Sequence, residues 1–269
     1  MAYEHLTLER NGPVGWLWLD RPDKRNALSA DMWADLPSAV AELDADESVR
    51  AVVVAGRGPA FTVGIDLQML MSLQPEGRSL AETKSHLYRE IKRLQATMSA
   101  FEACSKPVVA AVHGYCLGAG IDLITACDIR LAAADAVFSV RETRLALVAD
   151  VGTLQRLPRV IAPGHAAELA FTGADIDAPE AERIGLVNRV HPDPQELHSA
   201  AQTLGETIAA NSPLAVQGSK TVMAAGAEMS TEQALDYVAL WNSAFLHSND
   251  LAEAMSAFME KRPPEFTGT

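Results

Sequence analysis

The stretch RETRLALVAD, residues 141–150, sets Glu142 and Asp150 at the two ends of an apolar run, residues 145–149. A carboxylate taken out of water without a partner costs roughly several kcal/mol unless it is hydrogen-bonded, paired or protonated. Two acids beside a stretch that ought to be buried are therefore candidates for general acid–base work. The local alternative is an ion pair of Glu142 with Arg141 or Arg144 and an Asp150 cap on a helix beginning near Gly152.

Two other segments share a logic of their own. FTVGIDLQML and GYCLGAGIDLITACD each leave a strand region through a Gly-containing turn and open a helix with an acid just inside, Asp66 and Asp122. The first amides of a helix lack internal partners and lie at the positive end of its dipole, so they can stabilise an oxyanion. The amides placed to do so are those of Ile65 and Ala119, with Asp66 capping the first helix. Each turn alone also has a purely structural reading.

Other chemistries lose support. The glycines of GYCLGAG lack the third member of a dinucleotide fingerprint, and no GxxxxGK[ST] or GxSxG is present. The seven histidines show no ligand spacing, and Cys104, Cys116 and Cys127 fit neither a zinc pair nor a disulfide framework, so no metal is expected. A net charge of -13 opposes a general role on nucleic acid or anionic lipid. The most apolar window, PVVAAVHGYCLGAGI, is too short for a bilayer span. Cysteines that read as reduced, buried hydrophobes, with no export, transit or SKL-type signal at either end, give the expectation of a cytoplasmic protein.

The elements that must position these groups follow from patterning. With 269 residues, 48% of them hydrophobic, the chain can bury one large core or a core plus an appendage. HLTLER and VGWLWLD alternate around Asn11-Gly12-Pro13 as a hairpin, and AVVVAG and PVVAAVHG read as buried strands. Ser29 or Asp31 opens a helix reaching Leu43, and a long helix spans about 79–104. IDLITACD is a short helix, and DIRLAAAD, AVFSV and LVNRV are strands, which makes an α/β core. From about residue 195 only helical patterning remains. The chain divides into a core at 1–195, carrying the site, and a helical region at 196–269 whose apolar faces fit docking onto another subunit or onto the parent domain.

FTVGIDL, HGYCLGAGIDL and ACDIRLAAADAVFSVRETRLALVADVGTLQRLPRVI resemble the enoyl-CoA hydratase/isomerase (crotonase) family, most closely its 3,5-dienoyl to 2,4-dienoyl-CoA isomerases. The likeness runs from RPDKRNAL through AERIGLVNRV, VQGSK and LDYVALWN. It implies a spiral of ββα turns with a C-terminal helical oligomerisation region, a homotrimer or homohexamer, and an acyl-CoA thioester substrate in fatty-acid β-oxidation. No cofactor is implied beyond the coenzyme A of the substrate. The thioester oxygen would sit between the Ile65 and Ala119 amides. Lys24, Arg25 and Ala27 would lie near the CoA nucleotide, Gly64, Asp66, Leu67 and Gly118 would complete the substrate contacts, and the segment 74–104 would cover the acyl pocket.

The acids separate the subgroups. Hydratases similar to this sequence carry glutamates at the positions of Asp122 and Glu142 and a small residue at that of Asp150. The dienoyl isomerases carry Asp, Glu, Asp, as here, at spacings of twenty and eight. By that likeness Glu142 takes a proton from C2, Asp150 delivers one to C6, and Asp122 adjusts the local field. Ala119 departs from the glycine usual in relatives; its N–H serves if its φ is negative. The competing expectations are an enoyl-CoA hydratase and a non-catalytic acyl-CoA-binding protein.

Overall fold

Val14–Leu19 is buried along its whole length because it is paired on both edges and covered on both faces. The computed structural model describes residues 3–72 and 79–269. In it β1 (Leu6–Asn11) runs antiparallel to β2 (Val14–Leu19), the expected hairpin, and β2 then pairs in parallel with β3 (Ala51–Gly56). β4 (Val108–Val112), β6 (Ile129–Ala133) and β9 (Arg189–His191) extend the parallel array, giving among the described residues a sheet of order β1-β2-β3-β4-β6-β9. A small second sheet joins β5 (Tyr115–Leu117), β7 (Val137–Ser139) and β8 (Ile176–Asp177).

Side-chain alternation divides the large sheet into two apolar layers. Val52, Val54, Ala110 and Val112 join the main core with α1 (Ala30–Ala45) and α3 (Leu80–Ala103). Val53, Ala55, Val109 and Ala111 face a second cluster containing Trp16, Trp18, Leu197 and Ala201. Near-continuous Val and Ala strands are what burial on both faces requires. Ser29, rather than Asp31, caps α1 by accepting the Met32 N–H at 3.3 Å, and Ser79 caps α3 by accepting the Glu82 N–H at 3.2 Å. Both long helices thus start on a hydroxyl that patterning marks in advance.

The remaining helices are α2 (Leu67–Ser72), α4 (Ala119–Thr125), α5 (Thr153–Val160), α6 (Pro163–Thr172), α7 (Ala178–Arg183), α8 (Pro194–Ala209), α9 (Pro213–Gly226), α10 (Thr231–Phe245) and α11 (Asn249–Glu260). Strand, short strand, helix is the repeating order, as in β4-β5-α4 and β6-β7-α5, so the expected ββα spiral is present. α8 supplies Leu197 and Ala201 to the layer on the large sheet, whereas α10 buries no residue of its own. Exposed apolar side chains concentrate on α9, α10 and α11, among them Met223, Leu235, Leu240, Phe258 and Met259.

The pattern of the sequence did not reveal β5 or β8, whereas α2 is the helix expected after the FTVGID turn. β5 has three residues inside what reads as a Gly-rich turn, and its partner β7 lies more than twenty residues on. Pairing so remote leaves no local signal.

Candidate functional site

Two strand exits are locked together before either helix begins. Thr62 and Cys116 form a parallel bridge, in which the Thr62 N–H donates to Tyr115 O at 2.9 Å and the Leu117 N–H to Thr62 O at 3.1 Å. Two residues beyond each bridge partner stands a glycine with positive φ, Gly64 at 90° and Gly118 at 53°. One residue further come Ile65 and Ala119. A Cβ built on Gly64 would fall 2.7 Å from Leu117 O and 3.3 Å from Ala119 N, so the two turns approach as closely as backbone allows. Among the described residues neither the Ile65 nor the Ala119 N–H is taken by a backbone acceptor. Ala119 opens α4 and is not among the residues with positive φ, so its methyl costs no backbone strain.

Both turns open onto a cavity of about 750 Å³. Gly64, Ile65, Asp66 and Leu67 line it from one turn, Gly118, Ala119 and Asp122 from the other, and Lys24 and Ala27 from the RPDKRNAL loop. Glu142 and Asp150 complete the lining with Leu145, Leu147 and Val148 between them. The three acids singled out in the sequence therefore share one space. Arg25 is not brought to its wall; its guanidinium lies over the Tyr115 ring, 5.9 Å from the centroid.

Asp122, one turn into α4, is 1% exposed and accepts the Thr153 N–H at the start of α5. Burial pushes its carboxyl up to about 6 against that hydrogen bond and the charge of Arg156. Glu142 begins a short 3-10 turn, Glu142–Leu145, and its Oε1 would lie 3.5 Å from a Cβ on Gly118, beside the first amides of α4. Its Oε2 is buried with no hydrogen-bond partner among the described residues. Burial first, and the charge of Asp122 second, push this carboxyl up to about 7. Asp150 is exposed in the chain yet forms part of the cavity wall, and burial by its surroundings raises its carboxyl too.

The local alternatives for these acids do not hold. Arg141 pairs with Asp175 at 2.9 Å rather than with Glu142, and no ion pair joins Glu142 to Arg144 among the described residues. α5 starts at Gly152 with no side-chain cap, and Asp122 takes the Thr153 amide that an Asp150 cap would have sought. Asp66 does behave as a cap: it accepts the Gln68 N–H at 2.8 Å and pairs with Arg21 at 2.6 Å, whose hydrogen bond holds its carboxyl below the usual range.

Residues 145–148, read both as a stretch that ought to be buried and as the shaper of an acyl-chain pocket, are exposed, Val148 by 75%, and Leu145, Leu147 and Val148 line the cavity. The opposite wall comes from α3, through Leu87, Ile91 and Leu94, as expected for the long segment starting at Gln74; its portion at 74–78 lies outside the described residues. Sequence reasoning missed Thr153, Gln95 and Arg156, which hold the acid-bearing segments. Their partners lie more than thirty residues away in the chain, and nothing nearby marks them.

The chain matches the family model described as enoyl-CoA hydratase/isomerase over residues 9–269. It is 47% identical to the peroxisomal Delta(3,5)-Delta(2,4)-dienoyl-CoA isomerase of Arabidopsis thaliana, over 98% of each chain. It is 42% identical to the mitochondrial Delta(3,5)-Delta(2,4)-dienoyl-CoA isomerase of Dictyostelium discoideum, over 98% of this chain and 92% of that one. Among solved structures, a putative enoyl-CoA hydratase from Streptomyces coelicolor A3(2) superposes with a TM-score of 0.91 at 34% identity, over 100% of this chain and 96% of that one. The names of the first two overturn the cytoplasmic expectation, since they place those relatives in organelles. Buried free thiols do not single out the cytosol, and an organelle address is read by a receptor rather than built into the fold.

Proposed function

The chain belongs to the enoyl-CoA hydratase/isomerase family, and on that premise we propose that it converts a 3,5-dienoyl-CoA into the 2,4-dienoyl-CoA. The observation that carries this reading is the third acid: Asp150 lines the same cavity as Asp122 and Glu142, across an apolar run suited to a fatty chain. The substrate's acyl-CoA character follows from the family, and its CoA portion is the only group the reaction requires besides the protein.

Glu142 is the base. It takes a proton from C2, the C–H electrons enter the C1–C2 bond and the carbonyl π pair moves to oxygen, leaving a trienolate whose negative oxygen sits between the Ile65 and Ala119 amides. When the charge returns, double bonds form at C2–C3 and C4–C5, and C6 takes a proton from Asp150. An unpartnered Oε2 and a carboxyl raised to about 7 suit Glu142 to a proton that must come and go near neutrality. Asp122, held by Thr153, supplies the neighbouring charge that raises Glu142 further. The three titrate as a set. Lys24 and Ala27 flank the entry side, where the CoA nucleotide would lie.

The region 196–269 is the proposed oligomerisation region of a trimer or hexamer. Within it α9, α10 and α11 present the uncovered apolar side chains, Phe258 at 79% and Met259 at 78% exposure.

The test is an ultraviolet assay on a 3,5-dienoyl-CoA, whose product is conjugated with its thioester carbonyl and absorbs at longer wavelength. A parallel hydration assay on a 2-enoyl-CoA covers the competing hydratase. Conversion of the dienoyl substrate well above hydration is expected. Hydration alone, or binding of acyl-CoA without turnover of either substrate, overturns the reading.

A further inference from the structure

Asp150 sits on an irregular segment between the 3-10 turn and α5, so neither helix nor strand bonding fixes where its carboxylate points. What fixes the segment is one face of α3. Gln95 Nε2 donates to the Asp150 carbonyl oxygen at 2.7 Å. Gln95 Oε1 accepts from Lys92 Nζ at 2.8 Å. An ammonium only donates, so it must face the amide oxygen, and the Gln95 NH₂ is thereby turned toward Asp150.

One and two turns further along α3, Ser99 and Glu102 receive the Arg156 guanidinium, each at 2.9 Å. Arg156 lies across Gly152 so closely that a Cβ there would fall 2.0 Å from its Nη1. The neighbouring face of α3 carries Leu87, Ile91 and Leu94 on the cavity wall. One helix therefore lines the cavity and holds the segment that carries Asp150.

We propose that Gln95 is a positioning residue for the C6 proton transfer, its amide setting the place of Asp150 through the main-chain carbonyl. The proposal rests on the isomerase reading. It assigns Gln95 to the second proton transfer only, because Glu142 stands beside Gly118 while the side-chain hydrogen bonds given for Gln95 go to Lys92 and Asp150.

The experiment measures two rates on the full-length protein in D₂O: formation of 2,4-dienoyl-CoA, and deuterium incorporation at C2 of recovered 3,5-dienoyl-CoA. In Gln95→Met, which keeps chain length but removes the donor, isomerisation should fall about tenfold or more with KM little changed, as expected for a displaced catalytic group. Exchange at C2 should continue at the wild-type rate, and Gln95→Arg, which restores a donor, should recover much of the loss. Lys92→Met, on an exposed side chain, should give a milder form of the same split and serves if Gln95→Met does not fold. Unchanged isomerisation, or an equal fall in both rates, overturns the assignment. A wild-type protein that exchanges C2 but forms no 2,4-dienoyl product sinks the isomerase reading, and this inference with it.

Discussion

The Asp122 carboxylate accepts the N–H of Thr153, so the first turn of α5 is capped by a side chain that belongs to α4. The helix cannot cap itself, because its N-cap position is Gly152. Asp122→Ala should therefore lower stability by about 1–2 kcal/mol, the usual cost of losing a cap. Asp122→Asn, which keeps an acceptor oxygen and carries no charge, is the reference for that loss. Urea denaturation of the two variants checks this, because neither carries the desolvated carboxylate and they differ in the acceptor oxygen.

The same acid sets the pH response of its neighbour. Glu142 must be ionised to act as base, so kcat/KM should climb with pH toward about 7, where burial and the Asp122 charge have moved it. Removing a negative neighbour favours ionisation. Asp122→Asn should therefore shift the rising limb to lower pH, and a pH profile of both proteins shows the displacement. A shift toward higher pH would contradict the arrangement.

The proposed mechanism gives Asp150 the second proton transfer alone. Asp150→Asn should reduce 3,5 to 2,4 conversion by about 10²-fold or more, the range for loss of a positioned acid. It should leave much of any 2-enoyl-CoA hydration intact, since Asp122 and Glu142 are untouched. The two assays run side by side on one preparation decide it.

Gly64 combines a φ of 90° with the close approach to Leu117 O. Gly64→Ala should cost about 1–3 kcal/mol of stability from strain at that φ. By displacing the Ile65 amide from that of Ala119, it should also lower kcat by about 10²-fold, the scale for one lost oxyanion donor. Denaturation and steady-state kinetics on the same variant separate the two effects.

Sequence reasoning reached the parts of the fold that announce themselves locally. α3 is framed by Ser79 and Cys104 because a hydroxyl cap and a proline three residues past Cys104 frame its periodicity. β3 and β4 are continuous apolar runs. Glu142 and Asp150 stood out because charge beside a greasy run demands a reason, and the resemblance then gathered Asp122, Ile65 and Ala119 around them. What holds these groups was hidden: Thr153 meets Asp122 across 31 residues, and Gln95 meets Asp150 across 55. Local patterning also assigned residues 145–148 to an interior. A cavity wall has the same composition as a core but remains open, which periodicity does not distinguish.

The bridge between Thr62 and Cys116 places its two amides at the same offset on successive coils of the spiral. The proposed socket for negative charge is thus written in strand register more than in residue type: short of proline, no exchange at Ile65 or Ala119 deletes an N–H, and what turns it away is a shift of the backbone that carries it. On the proposed mechanism the seam between coils fixes where electrons are received, and the acids along the cavity decide which hydrogen travels.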